Sequence, residues 1–373
     1  MRILYVTTIG GTMTFFKSFV SELVSEGHTV DIACNNSVSQ VPQIYSELGS
    51  KIYTISCTRS PLKNTTLKAI KEIRKIVEEN KYDIVHCHTP IAAMCTRLAC
   101  KKLRKKIGVK VVYTAHGFHF YKGAPKKNWL LYYPVEKLCA RYTDLLITIN
   151  QEDYEIAKKK LKAKKVAYVP GVGIDVGKFA NAVVNVEEKR KELGIPQDAF
   201  VLMSVGELNT NKNHQVIIKA LAKLNIPDIH YQIAGKGYNF DALNLLSKEL
   251  GVESQVHLLG YRTDIPELYK SSNVCVFPSI REGLGLAAIE GMSSGLPLVV
   301  ANNRGTRAYS ENCNNSFVCE HYDVKGFADA ILKLYHDREL CKSMGEKNLE
   351  KSKIYEVESI NKQMHELYGS LNV

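Results

Sequence analysis

The feature that most constrains this 373-residue chain is an alternation of short apolar runs with longer amphipathic stretches, made twice along its length. In the first half, "RILYVTT" (2 to 8), "TVDIACN" (29 to 35), "KIYTIS" (51 to 56), "YDIVHCH" (82 to 88) and "VKVVYTAH" (109 to 116) are strand-length and bounded by turn residues. Between them, "FFKSFVSELVSEG" (15 to 27) and "TLKAIKEIRKIVEEN" (66 to 80) carry apolar residues at helical spacing. After residue 195 the pattern returns with "FVLMSVG", "HYQIAGKG", "VHLLG", "NVCVFPS" and "LPLVVAN". A crossover helix brings the chain back to the same end of a sheet, so strands that alternate with helices run parallel. The pattern therefore predicts an α/β protein with two Rossmann-like, doubly wound parallel-sheet domains, and the chain is long enough for two cores. The charged segment "EEKRKELGIPQD" (187 to 198) reads as the connection, which puts the first domain at 1–186 and starts the second at 187. Ligands of such sheets bind beyond the carboxyl ends of the strands, so two domains facing each other would enclose a central cleft.

Charge is distributed unevenly between the halves. Residues 1–195 hold 32 Lys and Arg against 17 Asp and Glu, whereas the remainder hold 18 against 21. The excess is concentrated at "KKLRKK" (101 to 106), "KKKLKAKK" (158 to 165) and Lys122, Lys126 and Lys127. No aromatic or recognition-helix features are interleaved with these lysines, which argues against nucleic acid and leaves a solvated face, an anionic membrane surface or a phosphorylated ligand. The ten cysteines are scattered without a C-x-x-C pair and read as reduced core residues of a cytoplasmic protein. The N-terminus lacks the pattern of a signal peptide. The best candidate for a membrane span, residues 129–149, is interrupted by Glu136, Lys137, Arg141 and Asp144.

Functional residues are expected just after strands. Gly10 and Gly11 follow the first, His116 and Gly117 end the fifth, and "GELNTNK" (206 to 212) follows the first strand of the second half. "REGLGLAAIEGM" (281 to 292) follows "VCVFP"; there Gly283 and Gly285 let backbone approach a ligand, and a helix starting near Gly285 offers free amides to phosphate oxygens. Glu282 precedes that helix and Glu290 lies more than a turn inside it. Carboxylates would repel phosphate, but they accept hydrogen bonds from hydroxyls, so the stretch suits a ligand with phosphate in the middle and polyols on both sides. His116 is a candidate for the reaction centre, with His119 an equivalent competitor. His86 and His88 share one strand face, with no carboxylate or third ligand beside them in sequence, so no metal site is expected.

With its two glutamates, "EGLGLAAIEGMSSGLPLVV" (282 to 300) resembles the E-x7-E signature of retaining family 4 glycosyltransferases of the GT-B fold. "YDIVHCHTP", "TAHGFHFY", "VPGVGID" (169 to 175), "GELNTNKNH" and "LLGYRTDI" (258 to 265) match that family in order and spacing, over essentially the whole chain. More narrowly, "TAHGFHFYKGAPKKNWLLYYPVEK" and "VPGVGID" resemble bacterial members that build capsule or exopolysaccharide on a lipid carrier. The resemblance implies a second domain over 187–355 and a C-terminal helix over 356–373 that crosses back to the first. It implies that Glu290 binds the donor ribose, Glu282 the transferred sugar, and His116 lines the reaction centre. Lys212 and the amides around Gly283, Leu284, Gly285 and Leu286 would hold the diphosphate, with Gly10, Gly11 and Gly206 at the donor. Lys236, Tyr261 and Arg262 would sit at the nucleobase, uracil by resemblance. One departure stands out: where the family has an arginine five residues before the lysine, this chain has Glu207. That carboxylate is expected to turn to another group, with Arg281, Lys236 or Arg262 as the compensating cation.

The implied reaction is retaining transfer from a nucleotide sugar, UDP-linked by resemblance and without a metal, to an undecaprenyl diphosphate-linked glycan at the inner face of the plasma membrane. Within the basic half, residues 59–75 combine Leu62, Leu67 and Ile70 with Arg59, Lys63, Lys68 and Lys71 and suggest an interfacial helix. The alternatives are a GT-B nucleotide-sugar epimerase or hydrolase, and a noncatalytic nucleotide-sugar-binding protein. Glu207 favours the latter, while Glu282, Glu290, Lys212 and His116 oppose it.

Overall fold

Seven parallel strands form the first sheet of the computed structural model, which describes residues 1–58 and 65–372. They are β1 (Arg2–Ile9), β2 (Thr29–Asn35), β3 (Ile52–Thr54), β4 (Ile84–His88), β5 (Lys110–Ala115), β6 (Leu145–Thr148) and β7 (Lys165–Tyr168), in the order β3-β2-β1-β4-β5-β6-β7. The second sheet has six parallel strands, β8 (Phe200–Val205), β9 (Ile229–Ala234), β10 (Val256–Gly260), β11 (Val274–Phe277), β12 (Leu298–Ala301) and β13 (Ser316–Cys319), in the order β10-β9-β8-β11-β12-β13. In each sheet the strand order reverses once, between β1 and β4 and between β8 and β11. These two seams are the places where the loops beyond the strands diverge and leave room for a ligand.

Both faces of the first sheet are covered, which is why its strands read as continuous apolar runs. Leu4, Val6, Val85, Cys87 and Val111 point toward the helices Thr65–Asn80 and Pro90–Cys100, while Ile3, Tyr5, Ile84 and Val112 point to the opposite core. That second core includes Ile360, Met364 and Tyr368 of the helix Val357–Gly369, so the chain's end belongs to the first unit. Asn361 donates to Glu22 at 2.7 Å, and His365 bridges Glu22 and Glu26 at 3.2 and 3.5 Å. Those three side chains are also the group close enough to share a metal ion among the described residues; His365 already joins them without one.

The two compact units are Met1–Gly173 with Val357–Val373, and Ile174–Glu356. The division after 186 read from sequence therefore moves earlier, because the helix Val176–Ala180 packs on the helix Leu286–Ser293 of the second unit. The segment taken as a connection is no linker either. It forms the helix Val186–Leu193, anchored within the second unit by buried Arg190, which donates to the Gln197 and Ser271 carbonyls. β6, β7 and β13 were missed by the sequence pattern. β6 lies inside the stretch weighed as a span, and all three are only four residues long.

The interfacial reading of residues 59–75 also changes. The helix Thr65–Asn80 buries Ala69, Ile73 and Val77 against the sheet and packs Ile70 there too, leaving Leu67 outside. Its apolar stripe is core. Arg59, Leu62 and Lys63 lie outside the described residues. No helix among the described residues is long and apolar enough to cross a membrane.

Candidate functional site

In the second unit, the seam between β8 and β11 gathers most of the residues singled out from sequence. The loop after β8 is stitched to the loop after β11. Ile280 N–H donates to the Asn211 carbonyl at 2.8 Å, the Asn211 amide to the Arg281 carbonyl at 3.0 Å, and the Asn213 amide to the Pro278 carbonyl at 3.2 Å. Asn213 takes a φ of 56°, a conformation that asparagine tolerates better than most residues. These bonds bring Lys212 and Glu282 together, with Nζ 2.7 Å from Oε1. The Lys212 stem lies against Gly206, and its ammonium sits 5.2 Å from the Phe277 ring centroid. An ammonium has three donors and a carboxylate two oxygens, so each member of the pair keeps hydrogen-bonding capacity for a ligand.

The helix Leu286–Ser293 begins at the same place. Gly285 caps it with φ 92° and no side-chain cap, so its first amides lack intrahelical acceptors and are available to an anion. Glycine is required there: a Cβ would lie 2.8 Å from the Phe277 ring and 3.0 Å from the Tyr309 hydroxyl. Leu286 opens the helix, whereas the Leu284 side chain is buried, so only its backbone could serve a ligand. Tyr309 was not found from sequence. It is fully buried, and its hydroxyl has no hydrogen-bond partner among the described residues. Nothing in the spacing of "TRAYSENCNN" (306 to 315) could have pointed to it, because its place depends on the turn after β12.

Glu290, one turn into the helix, is half-buried. Burial pushes its carboxyl up to about 7, against the pull of the Lys178 ammonium nearby. It therefore changes charge near neutral pH, which a solvent-facing glutamate would not. The Lys178 neighbour comes from the relocated helix Val176–Ala180 and was likewise not anticipated.

Other expected residues are placed differently. Glu207 is exposed and accepts from the Asn209 amide at 2.9 Å, while the Asn209 oxygen accepts from the Lys212 backbone N–H at 3.0 Å. Arg262 does not compensate for it. Its guanidinium is held by Asp264 at 2.5 Å and Glu192 at 2.6 Å, which ties the helix Val186–Leu193 to the loop after β10. Lys236 is exposed, with its ammonium 5.9 Å from the ring of exposed Tyr261, so these two do meet at the strand ends. Arg281 is exposed and its carbonyl serves Asn211.

In the first unit, the seam between β1 and β4 is occupied by aromatic and imidazole rings. His86 and His88 face the same side, as alternation requires, with ring centroids 4.1 Å apart. Both His86 nitrogens are engaged, one with the Tyr368 hydroxyl at 2.6 Å and the other with Thr114 at 2.8 Å. His88 Nδ1 meets His116 Nε2 at 3.1 Å. His116 is half-buried at the end of β5, and loss of water lowers its pKa to about 4, so it is a neutral hydrogen-bonding group at physiological pH. His119 instead stacks on Tyr132 at 4.5 Å. Gly10 and Gly11 have a packing reason: a Cβ on either would fall about 2.5 Å from Ser39 or its neighbours, so their smallness admits the Ser39–Val41 segment.

Two Rossmann-like sheets in one chain are the GT-B architecture, and likeness to known proteins gives the class, a glycosyltransferase that uses a nucleotide sugar. Residues 2–150 match the family described as glycosyl transferase 4-like, residues 185–351 match glycosyl transferases group 1, and the chain belongs to this family. The Bacillus subtilis protein named "Putative glycosyltransferase EpsD" is 37% identical over 92% of this chain and 90% of its own length. An Escherichia coli UDP-Gal:alpha-D-GlcNAc-diphosphoundecaprenol alpha-1,3-galactosyltransferase is 33% identical over 74% of this chain and 72% of its own. Among solved structures, Anabaena HepE in complex with UDP shares the fold with a TM-score of 0.83 and 20% identity, covering 99% of this chain and all of that one.

Proposed function

We propose that the protein transfers a hexosyl or N-acetylhexosaminyl group from a UDP-sugar, with retention of configuration, to an undecaprenyl diphosphate-linked glycan during assembly of a capsule or exopolysaccharide. It would work in the cytoplasm, peripherally on an anionic membrane. The observation that carries the reading is the Lys212–Glu282 pair beside the free amides of the helix Leu286–Ser293. In this reading the diphosphate lies on those amides and on Lys212, Glu282 accepts a hydroxyl of the transferred sugar, and Glu290 accepts the ribose hydroxyls. Neutral His116 hydrogen-bonds the sugar. The acceptor hydroxyl oxygen forms its bond to the anomeric carbon on the face from which the diphosphate leaves, and its proton passes to the departing phosphate oxygen. Charge building on that leaving group is met by the Lys212 ammonium and the helix amides, so protein groups supply what a metal would otherwise supply. Support for the carrier comes from the E. coli relative, whose name specifies a diphosphoundecaprenol acceptor.

The test is release of UDP from UDP-galactose, UDP-glucose and their N-acetylated counterparts, with and without a bacterial lipid extract. Lipid-dependent release that falls at least about a hundredfold in Lys212→Ala supports the reading. Unchanged turnover in that variant refutes the electrostatic role, and release indifferent to lipid points to an epimerase or hydrolase.

A further inference from the structure

His88 is buried at the end of β4, and its two ring nitrogens are placed unequally. Nδ1 lies 3.1 Å from His116 Nε2, whereas Nε2 has no hydrogen-bond partner among the described residues. The surrounding rings offer that nitrogen no acceptor. Tyr5 lies at 19° to the His88 ring, Phe16 at 30° and His86 at 38°, with centroids 5.4, 4.1 and 4.1 Å away, so all three are nearer to parallel than to perpendicular. Both nitrogens of His86 are already engaged by the Tyr368 and Thr114 hydroxyls. The small hollow that His88 lines is bounded largely by apolar side chains, among them Phe15, Phe19, Ile147 and Met364.

Burial lowers His116 to about 4 and His88 well below its ordinary value, so at neutral pH each ring carries one N–H. Two arrangements can make the bond between them. If His116 Nε2–H donates to His88 Nδ1, the one proton of His88 sits on Nε2, and a buried N–H is stranded. If His88 Nδ1–H donates to His116 Nε2, only a lone pair is left unpaired on His88. Orphaned buried N–H groups are the rarer of the two in folded proteins. The second arrangement fixes the proton of His116 on Nδ1, the nitrogen that makes no hydrogen bond among the described residues and belongs to a half-buried ring.

We propose that His88 is a positioning residue: through its Nδ1–H it holds His116 in the tautomer that presents Nδ1–H as a donor and spends the ring's one lone pair inside the protein. His116 can then hold an oxygen of the sugar but cannot take the proton of the acceptor hydroxyl, which leaves that proton to the departing phosphate. The inference rests on the donor-sugar role proposed above for His116, but the tautomer is measured without any substrate.

The experiment is nitrogen-15 NMR of the full chain labelled at histidine, with signals assigned from His88→Asn and His116→Asn, together with UDP-sugar turnover of the His88 variants. Free imidazole in water favours the proton on Nε2, so the expected pattern, Nδ1–H on both His88 and His116, is not the default one. Asparagine places an amide N–H near the position of Nδ1, and leucine has no donor. His88→Leu should therefore lower kcat at least about tenfold while His88→Asn stays within about threefold of the parent, and both should bind UDP, which lacks the sugar, as the parent does. A proton on Nε2 of either ring overturns the proposal, as does a His88→Asn variant as slow as His88→Leu. The expected tautomers in a protein that turns over no UDP-sugar would leave the hold of His88 on His116 standing while the proposed reaction fails.

Discussion

Raising the pH from 6 to 8 is expected to tighten binding of a UDP-sugar about tenfold, and Glu290 is the group responsible. Its carboxyl is half-buried on the helix Leu286–Ser293, and desolvation holds its pKa at about 7 in spite of Lys178. Ribose hydroxyls donate more strongly to a carboxylate than to a neutral acid. If only the ionised form holds the ribose, the competent fraction is about 0.1 at pH 6 and about 0.9 at pH 8, and the apparent Kd falls in proportion. The diphosphate diester of the donor keeps its charge over this range. His214 and His116, lowered by burial to about 3 and about 4, are neutral throughout. Calorimetric titration of UDP-galactose at pH 6, 7 and 8, repeated in buffers of different ionisation enthalpy, measures both the affinity and the protons released. Glu290→Gln should bind weakly and without pH dependence. A flat affinity in the parent protein, or the same slope in the variant, would refute the assignment.

The same residue carries a stability prediction. A folded pKa raised above 4.5 means that the folded state keeps a proton the unfolded chain releases, so this stabilisation is complete below that value and lost as pH rises through about 7. Glu290→Gln should therefore stabilise the protein by about 2 kcal/mol at pH 8 and by little at pH 4, read from denaturant midpoints. Gly285→Ala combines a left-handed backbone with a Cβ 2.8 Å from the Phe277 ring, and should cost about 2–4 kcal/mol and weaken UDP binding. Arg97→Met strands the buried Glu136 carboxylate and should cost about 3–5 kcal/mol, most of it recovered when Glu136→Leu is added; a double variant no more stable than the single would show that packing, not charge, dominates.

Much of the fold was legible because its signal is local. Both sheets and their parallel sense follow from the period of apolar residues, and the E-x7-E stretch pointed to the seam after β11 through its resemblance to a family signature, with a glycine-rich turn and a helix start suited to phosphate. β6, β7 and β13 escaped notice although β3, β11 and β12 are no longer than they are: β6 lies inside the stretch weighed as a membrane span, and β7 begins within the lysine-rich run 158 to 165. The helix Thr65–Asn80 and the helix Lys126–Ala140 are both basic and partly apolar in sequence. Only packing shows that the first spends its stripe on the core while the second leaves five apolar side chains in water.

Sequence alone thus determined the α/β architecture and the doubling of the sheet, and it named the residues proposed to hold a phosphorylated sugar. Tertiary structure decided which of those residues act together: Lys212 with Glu282, Arg262 with Asp264 and Glu192, Glu290 beside Lys178. The reason is physical. Helix and strand periods are written between neighbours in the chain, whereas the partner of a charge and the water around it are set by residues brought close from far along it, and those settle whether a carboxylate is an ion at pH 7.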